Sequence, residues 1–151
     1  MENCRMALSL QELSDRIEIG DLLARYATAI DRKDYELLDT CFVADADIDY
    51  VSSGGIAGKY PEVRAWLEKA LAIFSVTLHS LSNSEITLDG DRAEGRTLVT
   101  NPMSMHDAEG QQTIFTVYAY YEDELVRTGD GWRIARRYER QALLDGSLPG
   151  G

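Results

Sequence analysis

The chain has 151 residues, of which 44% are hydrophobic and 27% are charged, so it can form one packed domain. Its 26 acidic and 15 basic residues give a net charge of −11, which repels phosphate backbones and anionic lipid. This charge argues against nucleic acid as a partner, and the lack of a stretch of roughly 20 apolar residues argues against a membrane span.

Cysteine content and the chain ends indicate the compartment. Cys4 and Cys41 are too few for a disulfide framework or a cysteine-rich metal site, so we expect reduced thiols. The first residues, MENCRMALS, are too polar and too short for a secretory signal, so we expect a cytoplasmic protein. We expect a single domain over residues 1–151, with flexible ends at 1–8 and 145–151.

Helical periodicity dominates the N-terminal half of the chain. Ser9 and Glu12 have the spacing of a capping box, which predicts a long helix beginning at Leu10, with Asp15 largely off its apolar face. The predicted apolar stripe comprises Leu10, Leu13, Ile17, Leu22, Leu23, Tyr26, Ala27 and Ile30. A second, short helix is predicted to place Leu37, Leu38, Cys41 and Phe42 on one side. A third, with Pro61 in its first turn, carries the stripe Val63, Trp66, Leu67, Ala70, Leu71 and Phe74.

Strand periodicity begins between the second and third helices and dominates the rest. Residues 45–51 alternate between an aspartate-bearing face and an apolar face, which is typical of a half-buried strand. Five further strands are predicted at 76–81, 85–88, 93–101, 113–126 and 132–141, and residues 103–112 are expected to be a polar connection. Helices followed by an antiparallel meander indicate an α+β fold, in which the helices pack on one face of a strongly curved sheet. Such a cone-shaped barrel encloses an interior that can hold a small apolar molecule.

Three polar residues in apolar surroundings are candidates for chemistry. His79 alternates with Thr77 and Leu81 on a predicted strand, and histidine is the side chain best suited to move protons near neutral pH. Asp31 and Tyr26 are five residues apart, so both reach one cavity only if the helix ends near Asp31. An aspartate can orient an imidazole, and a tyrosine hydroxyl can stabilise a developing oxyanion. The alternative is structural, with a core histidine, a capping aspartate and a packed tyrosine.

One pattern of residues resembles the SnoaL-like branch of the NTF2-like superfamily. The pattern is Tyr26-xxxx-Asp31-xx-Asp34-Tyr35, Phe42, Asp45-Ala46, Ile48-Asp49-Tyr50, His79 and the terminal Gly131-Trp132-Arg133-Ile134. That branch includes scytalone dehydratase, bile-acid 7α-dehydratase and hexachlorocyclohexane dehydrochlorinase. The resemblance implies a cone-shaped α+β barrel whose cavity catalyses eliminations, isomerisations, cyclisations or epoxide hydrolysis without metal or organic cofactor. It also implies a homodimer or homotrimer.

The resemblance assigns roles to individual positions. Asp31 and His79 match the aspartate–histidine pair of the dehydratase-like members, while Tyr26 and Tyr50 match pocket tyrosines. Asn101 falls where the bile-acid enzyme has a catalytic aspartate. Two departures from the family pattern, Asn101 and Met103, leave the reaction open, because Met103 falls near a second catalytic histidine of scytalone dehydratase.

The predicted site therefore has a catalytic group and a binding group. The catalytic residues are His79, Asp31 and Tyr26, and the substrate contacts are Tyr50, Asn101, Trp66, Met103 and Tyr118. His106 is expected to lie outside the site, and the arginines of the last strand are expected to pair with surface carboxylates. An arginine inside the cone would instead indicate an anionic ligand.

The leading hypothesis is a cofactor-independent lyase or isomerase, dehydratase-like, that acts on a small hydrophobic cyclic substrate, steroid-like or polyketide-like. His79 would act as general base with Asp31 supporting it. The alternatives are a non-catalytic ligand-binding or assembly subunit, such as the β subunits of ring-hydroxylating dioxygenases, and an epoxide hydrolase.

Overall fold

The computed structural model of the chain describes residues 7–146. Its helices are α1 (Leu10–Arg32), α2 (Tyr35–Asp39) and α3 (Tyr60–Ala70), and short 3-10 turns occupy Val51–Ser53 and Leu71–Ile73. Its strands are β1 (Phe42–Asp49), β2 (Ala57–Lys59), β3 (Val76–Thr77), β4 (Ser80–Asp89), β5 (Arg92–His106), β6 (Gln112–Thr128) and β7 (Gly131–Asp145). In this part of the chain, none of the helices has the length and apolar character needed to cross a membrane.

All seven strands form one mixed sheet. Its order is β2-β1-β7-β6-β5-β3, with β4 also paired to β5. The β1–β7 pair is parallel and the other pairs are antiparallel. Because the helices pack against the concave side of this curved sheet, the predicted α+β fold is confirmed.

Helix α1 begins as predicted but buries a different face near its start. Ser9 and Glu12 form the reciprocal capping box. Leu10, however, is 85% exposed and Ile17 is 66% exposed, so the N-terminal part of the predicted stripe is wrong. Asp15 is buried there instead, because its carboxylate accepts hydrogen bonds from Arg127 and from the Trp132 indole. The remaining buried residues of α1 are Ile19, Leu22, Leu23, Tyr26, Ala29 and Ile30.

Several strand boundaries differ from the prediction: residues 78–79 interrupt the predicted strand 76–81, residues 80–89 form one strand, and residues 57–59 form the unpredicted β2. Strand β1 begins at Phe42, so the second helix ends three residues before the predicted apolar face does. The predicted polar connection at 103–112 is shorter than expected, because residues 103–106 continue β5 and residue 112 already belongs to β6. Long-range pairing with β3 and β6 stabilises these polar positions as strand and overrides their local composition.

A bulge in β7 changes which of its side chains face inward. Ile134 pairs with Leu125, but the next pair of the ladder joins Arg136 to Glu124, so Ala135 is an extra residue. Before the bulge the even-numbered Trp132 and Ile134 are buried; after it the odd-numbered residues 137 and 139 are buried.

The flexible ends predicted at 1–8 and 145–151 lie mostly outside the described residues, as does Cys4. Asp145 is an exception, since it is the last residue of β7 and pairs with Thr116. Cys41 is buried, and its thiol forms no disulfide among the described residues.

Candidate active site

Asp31 and His79 meet at the end of α1. His79 lies not within a strand but in the two-residue break between β3 and β4, which lets its ring turn toward the helix. The His79 Nδ1 atom lies 2.7 Å from Asp31 Oδ1, and the His79 backbone N–H donates to Asp31 Oδ2 at 2.9 Å. The Thr77 hydroxyl also donates to the same carboxylate, at 3.1 Å. These contacts fix both the carboxylate and the imidazole ring.

The hydrogen bonds of Asn101 determine the tautomer of His79. The Asn101 side-chain oxygen accepts from the Leu78 backbone N–H at 3.3 Å, so its amide nitrogen points toward His79 Nε2, 3.1 Å away. A carboxylate can only accept, so His79 carries its proton on Nδ1 and has a lone pair on Nε2. Nε2 is therefore the atom of His79 that can remove a proton from a ligand.

The cavity of the barrel lies on the Nε2 side of this histidine. Its volume is about 360 Å³, which suits a ligand of a few fused rings. The apolar lining comprises Ile30, Trp66, Leu67, Leu71, Phe74, Met103, Phe115, Val117 and Leu144. His79, Asn101, Tyr26 and Tyr50 also line the cavity, whereas Asp31 is not part of the lining and supports His79 from behind.

Three tyrosine hydroxyls form a cluster in the wall of the cavity. Tyr26 Oη lies 3.0 Å from Tyr50 Oη and 3.3 Å from Tyr121 Oη. Burial raises the pKa of Tyr26, and it raises the pKa values of Tyr50 and Tyr121 well above the usual 10, so all three phenols stay protonated near neutral pH. Three O–H donors make only two contacts among themselves, so at least one remains able to donate to a ligand oxygen.

A buried arginine lies behind the tyrosine cluster. The Arg137 guanidinium donates to Asp123 through Nε and Nη2, at 2.8 and 2.6 Å. Its central carbon lies 4.1 Å from the ring centre of Tyr26 and 3.9 Å from that of Tyr121. Burial alone would lower the pKa of Arg137, but the Asp123 carboxylate raises it well above its ordinary value. The prediction that Arg137 pairs with a surface carboxylate is therefore wrong, because both Arg137 and Asp123 are buried, and Arg137 does not line the cavity.

Four of the five predicted substrate contacts line the cavity, namely Tyr50, Asn101, Trp66 and Met103. The fifth, Tyr118, does not line the cavity, in contrast to the prediction. Inward positions on β6 are odd-numbered from Phe115 to Leu125, so Tyr121 faces the interior and Tyr118 faces the opposite side of the sheet. His106 is exposed at the end of β5, away from the cavity.

Glu139 is a cavity residue that the sequence analysis did not identify. It lines the cavity and is only 9% exposed. Alternation along β7 did not reveal that Glu139 points inward, because the inward-facing positions can be recognised only once the bulge at Ala135 is known. Within residues 7–146, no three His, Cys, Asp or Glu side chains come together in a group that could hold a metal ion.

Comparison with known proteins shows the relationships of this chain. Residues 11–138 match the SnoaL-like domain family. The uncharacterised protein Rv2910c of Mycobacterium tuberculosis is 45% identical over 139 residues, which cover 92% of this chain and 93% of that protein. The Kfla4162 protein of Kribbella flavida superimposes with a TM-score of 0.80 at 27% identity, covering 88% of this chain and 94% of that one. The type 3 hexachlorocyclohexane dehydrochlorinase LinA of Novosphingobium barchaimii shares the fold, with a TM-score of 0.75 at 21% identity over 94% of this chain and 95% of that one.

Proposed function

The chain belongs to the SnoaL-like domain family, and on that premise we propose that it is a cofactor-independent lyase or isomerase of the dehydratase-like kind. Its substrate is a small hydrophobic cyclic molecule, steroid-like or polyketide-like, that carries a hydroxyl or carbonyl group. The observation that supports this most directly is the His79 Nε2 lone pair, which lies at the wall of an apolar cavity and is backed by a carboxylate. At the level of fold alone, the LinA dehydrochlorinase is an enzyme of this architecture that carries out an elimination.

Proton abstraction from carbon is the first step that this arrangement supports. His79 Nε2 takes a proton from a carbon next to a carbonyl, and the positive charge that forms on the ring is stabilised by Asp31 at 2.7 Å. For this to happen the Asn101 amide must move from Nε2, where it sits at 3.1 Å. The amide is then free to donate to the substrate.

Negative charge develops on a substrate oxygen as the proton leaves carbon. The tyrosine cluster has an unused O–H donor for that oxygen, and its phenols remain protonated because they are buried. Donors that are already oriented in a water-poor cavity stabilise an oxyanion more than water does. Tyr26, together with Tyr50 or Asn101, therefore binds the oxygen while His79 acts on the carbon.

Turnover of a substrate panel tests this proposal. The panel contains cyclic hydroxy ketones, cyclic ketones and epoxides, and proton NMR in D₂O follows both product formation and C–H exchange. We expect His79→Ala and Asp31→Asn to lower the rate by roughly 10²-fold or more, the range for a lost general base. His106→Ala is the matched control, because that histidine is exposed and outside the cavity. If both variants kept full activity while circular dichroism showed an intact fold, His79 would not be the base.

A non-catalytic ligand-binding or assembly protein is the second candidate. One observation favours it: each nitrogen of the His79 ring already has a hydrogen-bond partner, which is what a purely structural pair requires. In that case the panel compounds bind without turnover or C–H exchange, and His79→Ala lowers stability without affecting any reaction.

Assembly as a homodimer or homotrimer is part of the same proposal. Tyr118 lies on the outer side of the sheet next to Leu143, which is 58% exposed, and a second copy would cover these side chains. Size-exclusion chromatography with light scattering measures the oligomeric state.

A cytoplasmic location also stays a prediction.

A further inference from the structure

Glu139 and His79 line the same cavity. In the sheet it pairs directly with Tyr121 of β6, so both side chains lie on the concave face. The rings of Tyr26 and His79 are 6.2 Å apart, and those of Tyr26 and Tyr121 are 5.6 Å apart. Tyr26 thus neighbours the imidazole, and Tyr121, which it contacts, neighbours Glu139 in the sheet.

The surroundings of Glu139 favour its protonated form. Among the described residues no lysine, arginine or histidine forms an ion pair with it, and the neighbouring Arg137 is already paired with Asp123. The titratable groups that face it are Arg137 on its own strand and the phenols of Tyr26, Tyr50 and Tyr121. Burial raises the pKa of Glu139 to about 7, and the Ser53 hydroxyl and the Arg137 charge offset this only in part.

We propose that Glu139 is the catalytic acid of the cavity, and that the group eliminated from the substrate is a hydroxyl, which leaves as water. This inference rests on the proposed function and narrows its substrate class. A cavity with an imidazole base and a separately placed carboxylic acid has the two groups that elimination of water requires. Chloride leaves without a proton, whereas hydroxide needs one, so among eliminations an acid at this point favours those in which oxygen leaves.

The proposed elimination conserves protons and electrons. The C–H bond breaks and its proton goes to His79 Nε2, while the electron pair forms the new C=C bond. The C–O bond on the neighbouring carbon breaks, and its oxygen takes the carboxyl proton of Glu139 and departs as water. The protein is left with an imidazolium and a carboxylate, and transfer of one proton from His79 to Glu139 through solvent restores the starting state. No oxidant or reductant takes part.

A matched pair of substrates tests the assignment. The two probes are a cyclic β-hydroxy ketone and the β-chloro ketone of the same ring, and formation of the same enone is followed by its ultraviolet absorbance. For Glu139→Gln we expect a loss of 10²-fold or more with the hydroxy ketone and less than about 3-fold with the chloro ketone. For the wild-type protein, the rate with the hydroxy ketone should fall above about pH 7, where Glu139 loses its proton. The rate with the chloro ketone should show no such fall. Retained turnover of the chloro ketone also shows that the variant is folded.

Each outcome separates this inference from the proposed function. If Glu139→Gln slowed both probes equally, or neither, while His79→Ala abolished both, Glu139 would not be the acid and the lyase proposal would stand. If the wild-type protein converted neither probe and exchanged no C–H proton, both proposals would be refuted. Glu94→Gln, an exposed glutamate on β5, is the control and should change neither rate.

Discussion

Replacement of Glu139 by glutamine should make the protein more stable at alkaline pH. The folded protein raises the pKa of this carboxyl group from its ordinary 4.5 to about 7, because burial disfavours the charged form. Between these pH values the folded state keeps a proton that the unfolded chain has released. Folding stability therefore falls as the pH rises through this range, and the penalty is absent below about pH 4.5 and complete above about pH 7. The difference corresponds to about 3 kcal/mol.

Urea unfolding at about pH 4.5 and about pH 8 measures this effect. Glutamine has no proton to lose, so Glu139→Gln should resemble the wild type at the lower pH and exceed it by about 3 kcal/mol at the higher pH. Glu94→Gln, on the exposed side of the same sheet, should show no such pH-dependent gain. An equal stability difference at the two pH values would mean that the carboxyl group of Glu139 is not held in its protonated form.

Three further substitutions test local packing and electrostatics. Asp15→Asn should cost about 1–3 kcal/mol, because it removes two charge-assisted hydrogen bonds of Arg127, which keeps its bond to Asp91. The Arg127 hydrogen bonds lower the pKa of Asp15 to about 2, so the stability it adds is present above about pH 4 and lost as the pH falls toward 2; urea unfolding against pH shows this. A Cβ at Gly55 would lie 2.9 Å from the Trp66 ring, so Gly55→Ala should cost about 1–3 kcal/mol and weaken ligand binding. Gly20→Ala, where the added methyl meets no atom within 4 Å apart from neighbouring backbone of its own helix, should instead add about 0.5–1 kcal/mol in thermal unfolding.

Local chemistry explains why much of the fold was predictable. The capping box at Ser9 and Glu12 is a contact between residues three apart, so sequence alone specifies the start of α1. Alternation likewise specifies which side of β1 is buried, since Ala46, Ile48 and Tyr50 are buried as predicted. The resemblance supplied the pairing of Asp31 with His79, two residues that are 48 positions apart and meet at 2.7 Å.

The remaining features depend on contacts that no local pattern records. Asp15 is buried because of Arg127 and Trp132, more than 100 residues away, and helical periodicity alone assigned it to solvent. Tyr118 and Tyr121 lie on opposite faces of β6, and their sequence neighbourhood does not indicate which face is concave. Contacts with distant strands decide whether Asp15 is buried and which face of β6 is concave. These contacts are known only once the sheet is assembled.

The extra residue at Ala135 determines which charged side chains of β7 face the interior. If β7 alternated without interruption from Trp132, Arg136 and Arg140 would point into the hollow in place of Arg137 and Glu139. The same strand sequence would then place Arg140, and no carboxyl group of β7, on the inner face. A relative with a different residue count before this point could therefore prefer acids where this chain is suited to neutral compounds, on an unchanged scaffold. A change of one residue in strand length is thus a route by which ligand preference could diverge among proteins of this shape.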